Sequence, residues 1–236
     1  MILLVSASLR AQGAELSHTN KQYDAGDYSG AAAGYKELLV QTPNDPGLHY
    51  NLGNCLFKSG QIGRAIASYQ RAFDLRPRDG DVRYNLEFAL KKSGEELIPA
   101  SVPPVLFSVF YLLSERELAG LHWLFWWALL ALASLYLYRE PLRGALTLWC
   151  VWAACLWLFA GGWWLARRSL EPEERGVIIR STAEIRSGPG TNFNVSLTAP
   201  EGRRISILAE QGEWLEIGLL KEGAKGWVPA ESVEKI

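Results

Sequence analysis

Three cysteines, three histidines and one methionine among 236 residues leave little for metal or redox chemistry to use. Cys55, Cys150 and Cys155 are odd in number and lack metal-ligand spacing, so no disulfide framework follows and each reads as a small apolar filler. Cys150 and Cys155, five residues apart, do not share a helix face well. A net charge of −1 gives no basic excess of the kind that nucleic acid demands. The glycines of Arg186-Ser187-Gly188-Pro189-Gly190-Thr191-Asn192-Phe193 come without a phosphate-loop lysine or a following helix. No nucleophile–base pair is recognisable either. The expectation is a non-enzyme with no catalytic residues, no cofactor and no metal.

Charge is also missing locally. No Asp, Glu, Lys or Arg occurs from Leu118 to Tyr138 or from Gly144 to Ala166. As helices these runs would measure about 31 and 34 Å, enough to cross a bilayer core. Trp123, Trp126 and Trp127 open the first run, Trp163 and Trp164 close the second, and Tyr136, Tyr138 and Trp149 lie at the turn between them. Interfacial aromatics at both ends are what a transmembrane hairpin should carry. A buried helical pair in a water-soluble domain would need far more covering surface than this chain has. His122 falls near the outer end of its run and reads as an interfacial side chain rather than a proton relay.

Which side the turn faces is contested by two cues. Arg139 and Arg143 in the turn are outnumbered by Arg116, Arg167, Arg168 and Arg175 at the far ends, which favours an outside turn. Arg167 and Arg168 could, however, snorkel to phosphates on either face. The N-terminus argues the reverse. Ile2 to Leu9 is a short apolar run, followed by the small-x-small sequence Ala11-Gln12-Gly13, the pattern of a secretory signal over residues 1–13. A translocated N-terminal domain puts the turn, residues 139–143, in the cytoplasm.

Self-comparison at an offset of 34 pairs Asn20 with Asn54, Gly26 with Gly60, Ala31 with Ala65, Tyr35 with Tyr69 and Pro43 with Pro77. Residues 46–79 resemble the tetratricopeptide (TPR) repeat, with Leu52, Gly53, Leu56, Ala65, Tyr69, Ala72 and Pro77 at that family's spacing. Gly53 and Ala65 are small where two helices cross. Gly60 suits a left-handed turn, and Pro77 stops a helix. Residues 12–45 form a looser first repeat, and 80–94 read as a capping helix, completing a domain over 14–94. The resemblance implies a concave groove walled by first-helix residues: Leu16, Asn20, Tyr23, Tyr50, Asn54, Phe57, Tyr84 and Phe88. Such a surface would take an extended peptide, with the asparagines bonding its backbone.

Between repeat and hairpin, residues 95–117 form a linker. Pro99, Pro103 and Pro104 break helix, and Val105–Leu113 is too short to span, so it reads as an interfacial segment. Ser114 and Glu117 have capping-box spacing and should open the first span. After a second linker at 167–176, short alternating runs such as Arg204-Ile205-Ser206-Ile207 and Trp214-Leu215-Glu216-Ile217 predict a small β-barrel over 177–236. Ile185–Thr191, Glu213-Trp214-Leu215 and Gly226-Trp227-Val228-Pro229 resemble the bacterial SH3 (SH3b) family. Its candidate binding surface is Arg186, Asn192, Phe193, Trp214 and Trp227, although Trp227 reads better as a core or strand-pairing residue.

The order signal, TPR pair, hairpin (118–138 and 144–166) and SH3b barrel is similar to the BatE-type proteins of the Bacteroides-aerotolerance (Bat) family. The fold class expected is therefore multidomain: an all-α TPR solenoid, an α-helical transmembrane hairpin and a small all-β SH3-like barrel. The resemblance implies an inner-membrane scaffold with both soluble domains periplasmic. Implied partners are membrane-anchored von Willebrand factor A-domain Bat proteins and, indirectly, a MoxR-type AAA+ ATPase. The competing expectation is an envelope sensor or anchor that binds peptidoglycan through its barrel.

Overall fold

A computed structural model describes residues 2–170, 174–219 and 223–236, with the side chains of 2–12 outside that description. Residues Met1–Pro104 and Glu174–Ile236 make one compact unit, and Val105–Glu173 another. The fold class read from the sequence stands: antiparallel helical pairs, an apolar helical hairpin and an antiparallel β-barrel.

Five helices build the repeat domain: α1 (Ile2–Asp24), α2 (Tyr28–Gln41), α3 (Pro46–Lys58), α4 (Ile62–Leu75) and α5 (Gly80–Lys92). The expected signal falls almost wholly on side chains outside the description; the backbone there belongs to α1. The 34-residue period is visible in the chemistry. Gly26, Gly60 and Gly94 end successive turns with φ of 82°, 82° and 74°, a conformation that a Cβ would oppose. Asp45 caps α3 by accepting from the Gly47 and Leu48 amides, and Asp79 caps α5 in the same way. Tyr35 donates to Asn20 at 2.6 Å, and 34 residues later Tyr69 donates to Asn54 at 2.7 Å. Gly53 lies under the Tyr69 ring, where an added Cβ would come within 2.6 Å of it. Leu38, Ile66, Phe73, Leu86 and Leu90 fill the core, each worth roughly 1.5–3 kcal/mol on burial.

The barrel strands run in the order β3-β2-β6-β5-β4-β1-β7, with β1 Arg175–Ile178, β2 Thr182–Arg186, β3 Val195–Pro200, β4 Arg204–Gln211, β5 Trp214–Leu219, β6 Ala224–Pro229 and β7 Val233–Lys235. Its core alternates as period two requires: Leu215, Ile217 and Leu219 point inward from β5 to meet Ile185, Ile205 and Val228.

Barrel and repeat are docked together, and α4 shows why. Along α4, Gly63, Arg71 and Asp74 form one stripe that meets the barrel at Glu201, Glu234 and Arg175, while Tyr69, Ala72 and Phe73 are buried. Asp27 caps α2, but 34 residues on stands Gln61, which provides no side-chain cap for α4. The missing acceptor comes from the barrel: Glu201 takes the Gly63 amide at 2.8 Å, placing a carboxylate at the helix N-terminus. Gly63 itself permits the approach, since a Cβ would meet the Ile178 carbonyl oxygen at 2.4 Å. Around this contact Arg175 pairs with Asp74 at 2.7 Å and Arg71 with Glu234 at 3.1 Å. Glu95, 4% exposed, receives Arg203 at 3.1 Å and Arg204 at 4.0 Å.

A short helix, α6 (Pro104–Phe110), leads into the other unit. There α7 (Glu115–Tyr138) and α8 (Arg143–Leu170) are antiparallel and joined by the 3-10 turn Glu140–Leu142. Ser114 and Glu117 form the capping box expected of them: the Glu117 amide donates to Ser114 Oγ, and the Ser114 amide to the Glu117 carboxylate at 2.8 Å. On α8 the buried residues are Leu146, Ala153, Ala160 and Arg167, a strict seven-residue seam whose small members let two helices approach closely. Gly161 admits His122, which packs between Trp157 and Trp164 with ring centroids 5.4 and 5.7 Å away. Elsewhere both helices expose apolar surface, including Trp123, Trp127, Trp149 and Trp152. Their length and hydropathy suffice to cross a membrane.

Arg167 corrects the snorkelling expectation. It is 3% exposed and donates to the carbonyls of Phe110 (3.2 Å) and Leu113 (3.0 Å). Arg143 bonds the Tyr136 carbonyl at the end of α7, and Arg175 belongs to the docking interface.

Candidate functional site

Two surfaces collect the residues expected to bind ligands. The first is the face formed by α1, α3 and α5. Asn20 and Asn54 project there, but their carbonyl oxygens are already engaged by Tyr35 and Tyr69, and Asn54 also accepts from Asn85 at 3.2 Å. Asn54 thereby has both oxygen lone pairs engaged, which narrows the bonding expected of it. Burial pushes the Tyr35 phenol up to about 12 and drives Tyr69 higher still, so both stay neutral donors. Tyr50 accepts from Asn85 at 2.9 Å and packs on Tyr69, 6.0 Å between centroids. Tyr23 lies edge-on to Tyr28, and Leu16 is half-buried.

The uncovered aromatic surface gathers at the α5 end. Phe57 and Phe88 lie 5.6 Å apart, Tyr84 stacks on Phe88, and Lys92 stands 5.0 Å over the Phe57 ring. Tyr84 is 68% and Phe88 53% exposed, well above what an ordinary helix surface leaves to water. The barrel docks on the α4 stripe and beside Ser93 and Glu95, and these aromatics stay open.

The second surface is a cleft of about 710 Å³ on the barrel. It brings together Arg186 and Trp214, while Asn192, Phe193 and Trp227 are not among its walls. Arg186 is structural as much as available. Its guanidinium donates to the Thr191 and Phe193 carbonyls at 3.0 and 2.8 Å and pairs with Glu184, closing the glycine loop upon itself. Phe193 caps that loop, its ring lying where any Cβ on Gly188 would fall. Trp227 pairs with Arg186 on one side and Glu216 on the other, as a strand-pairing residue would. Sequence reasoning missed Arg180, Glu213, Glu231 and the buried Ser232. These come from the loop after β1, the β4–β5 turn and the short 3-10 segment after β6, separated in sequence and joined only by barrel closure. Arg180 and Glu231 pair across the cleft at 2.5 Å.

Comparison with known families agrees with this geometry. Residues 181–234 match the bacterial SH3 domain family, 20–60 a TPR repeat family and 47–79 the tetratricopeptide repeat family. The chain carries tetratricopeptide repeats and a bacterial SH3 domain. Over 59 residues, 25% of this chain, it is 37% identical to a putative N-acetylmuramoyl-L-alanine amidase, YrvJ, of Bacillus subtilis (strain 168). That stretch spans only 11% of the amidase's own length. Solved structures resembling the chain include a point mutant of MamA (21% identity, TM-score 0.34, covering 36% of this chain and 61% of that one). Another is the type III secretion translocator chaperone SycD of Yersinia enterocolitica (25% identity, TM-score 0.36, covering 39% and 69%). Likeness at this level decides nothing about ligands.

Proposed function

We propose that the protein is a non-enzymatic, membrane-anchored adaptor of the BatE type. In this reading α7 and α8 cross the bacterial inner membrane, the turn at 139–143 faces the cytoplasm, and the TPR–SH3b unit works in the periplasm. The TPR groove holds an extended segment of a membrane-anchored von Willebrand factor A-domain partner. A MoxR-type ATPase acts on that complex from the cytoplasmic side, in aerotolerance or envelope stress. The observation that carries this reading is the open aromatic strip Tyr84–Phe88–Phe57, left uncovered by the docked barrel.

Exposed aromatics can be removed without opening the core, which makes the groove testable. Tyr84→Ala with Phe88→Ala is expected to cut co-purification of the A-domain partner from mild-detergent extracts at least tenfold, at unchanged thermal stability. Undiminished co-purification would remove the groove from the account. The barrel cleft supports a second reading, an anchor on peptidoglycan stem peptides. In the same preparations Trp214→Ala would then lose retention on purified sacculi while the groove variant keeps it.

A further inference from the structure

The short helix α6 has one face packed and one face bare. Phe107 is buried and stacks on Tyr111 at 4.5 Å. On the other side Val105, Leu106 and Val109 share one face at helical spacing and are 73, 61 and 52% exposed, and Leu112, just past the helix end, is 49% exposed. Among the described residues no protein surface covers these four.

Arg167 fixes where that bare face lies within its unit. Its guanidinium donates to the carbonyls of Phe110, the last residue of α6, and Leu113, three residues beyond, and lies 4.3 Å over Tyr111 and 5.3 Å over Phe110. Trp163 Nε1 donates to the same Phe110 carbonyl at 3.3 Å. Both carbonyl bonds leave one guanidinium nitrogen, Nη1, while the cation lies against the two rings. The segment is thus clamped to the last turns of α8, beside the Trp163–Trp164 belt that marks the end of the uncharged run.

We propose that α6 is a lipid-facing, in-plane helix whose bare face enters the acyl–headgroup boundary of the bilayer, with Arg167 as the clamp that holds it there. The proposal rests on reading α7 and α8 as membrane spans. The hairpin then begins from an anchored platform, since α6, its carbonyls and the capping box at Ser114 follow one another without a free linker.

Spin-label depth measurement on the full chain in phosphatidylcholine–phosphatidylglycerol vesicles tests this. Cys150 and Cys155 are replaced by Ala. Cys55 stays, being fully buried with its thiol pushed up to about 11. Nitroxides are placed singly at Leu106→Cys, at Leu124→Cys as the span reference and at Val40→Cys as the water reference. Position 106 is expected to favour collision with oxygen over a nickel chelate, at a depth of about 5–10 Å, shallower than position 124. Water-like behaviour at 106 with lipid-like behaviour at 124 overturns the proposal and leaves the spans intact. Shielding of 106 from both reagents also overturns it, in favour of a protein partner. Water-like behaviour at 124 overturns the span reading and the proposal with it. Arg167→Ala should sharpen the spectrum at 106 severalfold in mobility; an unchanged line shape removes the clamp.

Discussion

Glu95→Ala should undock the barrel from the repeat without unfolding either. The Glu95 carboxylate is almost fully buried and serves both Arg203 and Arg204; removing it takes the counter-charge from both guanidinium groups, while Arg204 keeps the Glu96 carbonyl. Losing one member of a buried pair costs about 3–5 kcal/mol, and the partial exposure of both arginines favours the lower end. The effect should be read away from the mutation, at the Gly63 amide that Glu201 holds. About 3 kcal/mol of lost docking energy corresponds to roughly a hundredfold faster hydrogen exchange there. Exchange in the barrel core, at Leu215 and Ile217, should stay slow. Glu95→Gln, which keeps volume and one acceptor, should give a smaller change. Equal protection at Gly63 in all three proteins would show that the ion cluster does not hold the domains together.

The second large effect is expected at the helix crossing. Gly53→Leu drives a side chain into the Tyr69 ring, which is 2% exposed and tied to Asn54. Overpacking of about 3 kcal/mol exceeds the roughly 1 kcal/mol by which leaving Gly favours a helix. The net loss of about 2 kcal/mol lowers Tm by about 4–8 °C for a unit of this size. Because the clash is with one ring, Tyr69→Ala should recover part of the loss when combined with Gly53→Leu. Strict additivity of the two would contradict the contact.

How much of this was legible depends on the range of each interaction. Gly53, Gly60 and Pro77 announce the repeat because helix crossings and turns are set by residues close in sequence. Ser114 and Glu117 announce a helix start for the same reason. The seven-residue seam Leu146, Ala153, Ala160, Arg167 was on view but masked, since nearly every other residue of α8 is apolar too. Docking was not legible. Glu201 serves Gly63 across 138 residues, and the only local hint is the absence of an aspartate at Gln61 where the period would place one. Arg167 misled for a related reason: as a flanking charge it looks like a topology signal, and only the fold shows its carbonyl partners 54 and 57 residues upstream. Asn20 and Asn54 lie on α1 and α3, and their bonding to tyrosines of the partner helix needed the packed pair.

The central claim is that the docked TPR–SH3b unit works outside the cytoplasm and the 139–143 turn lies inside it. Labelling of single cysteines in intact cells with a membrane-impermeant maleimide tests it most directly, using Val40→Cys for the TPR domain and Gly144→Cys for the turn in a Cys150→Ala, Cys155→Ala background. Modification of Val40→Cys in intact cells, with Gly144→Cys modified only after permeabilisation, is the predicted result. Modification of Gly144→Cys in intact cells, with Val40→Cys protected, would contradict it.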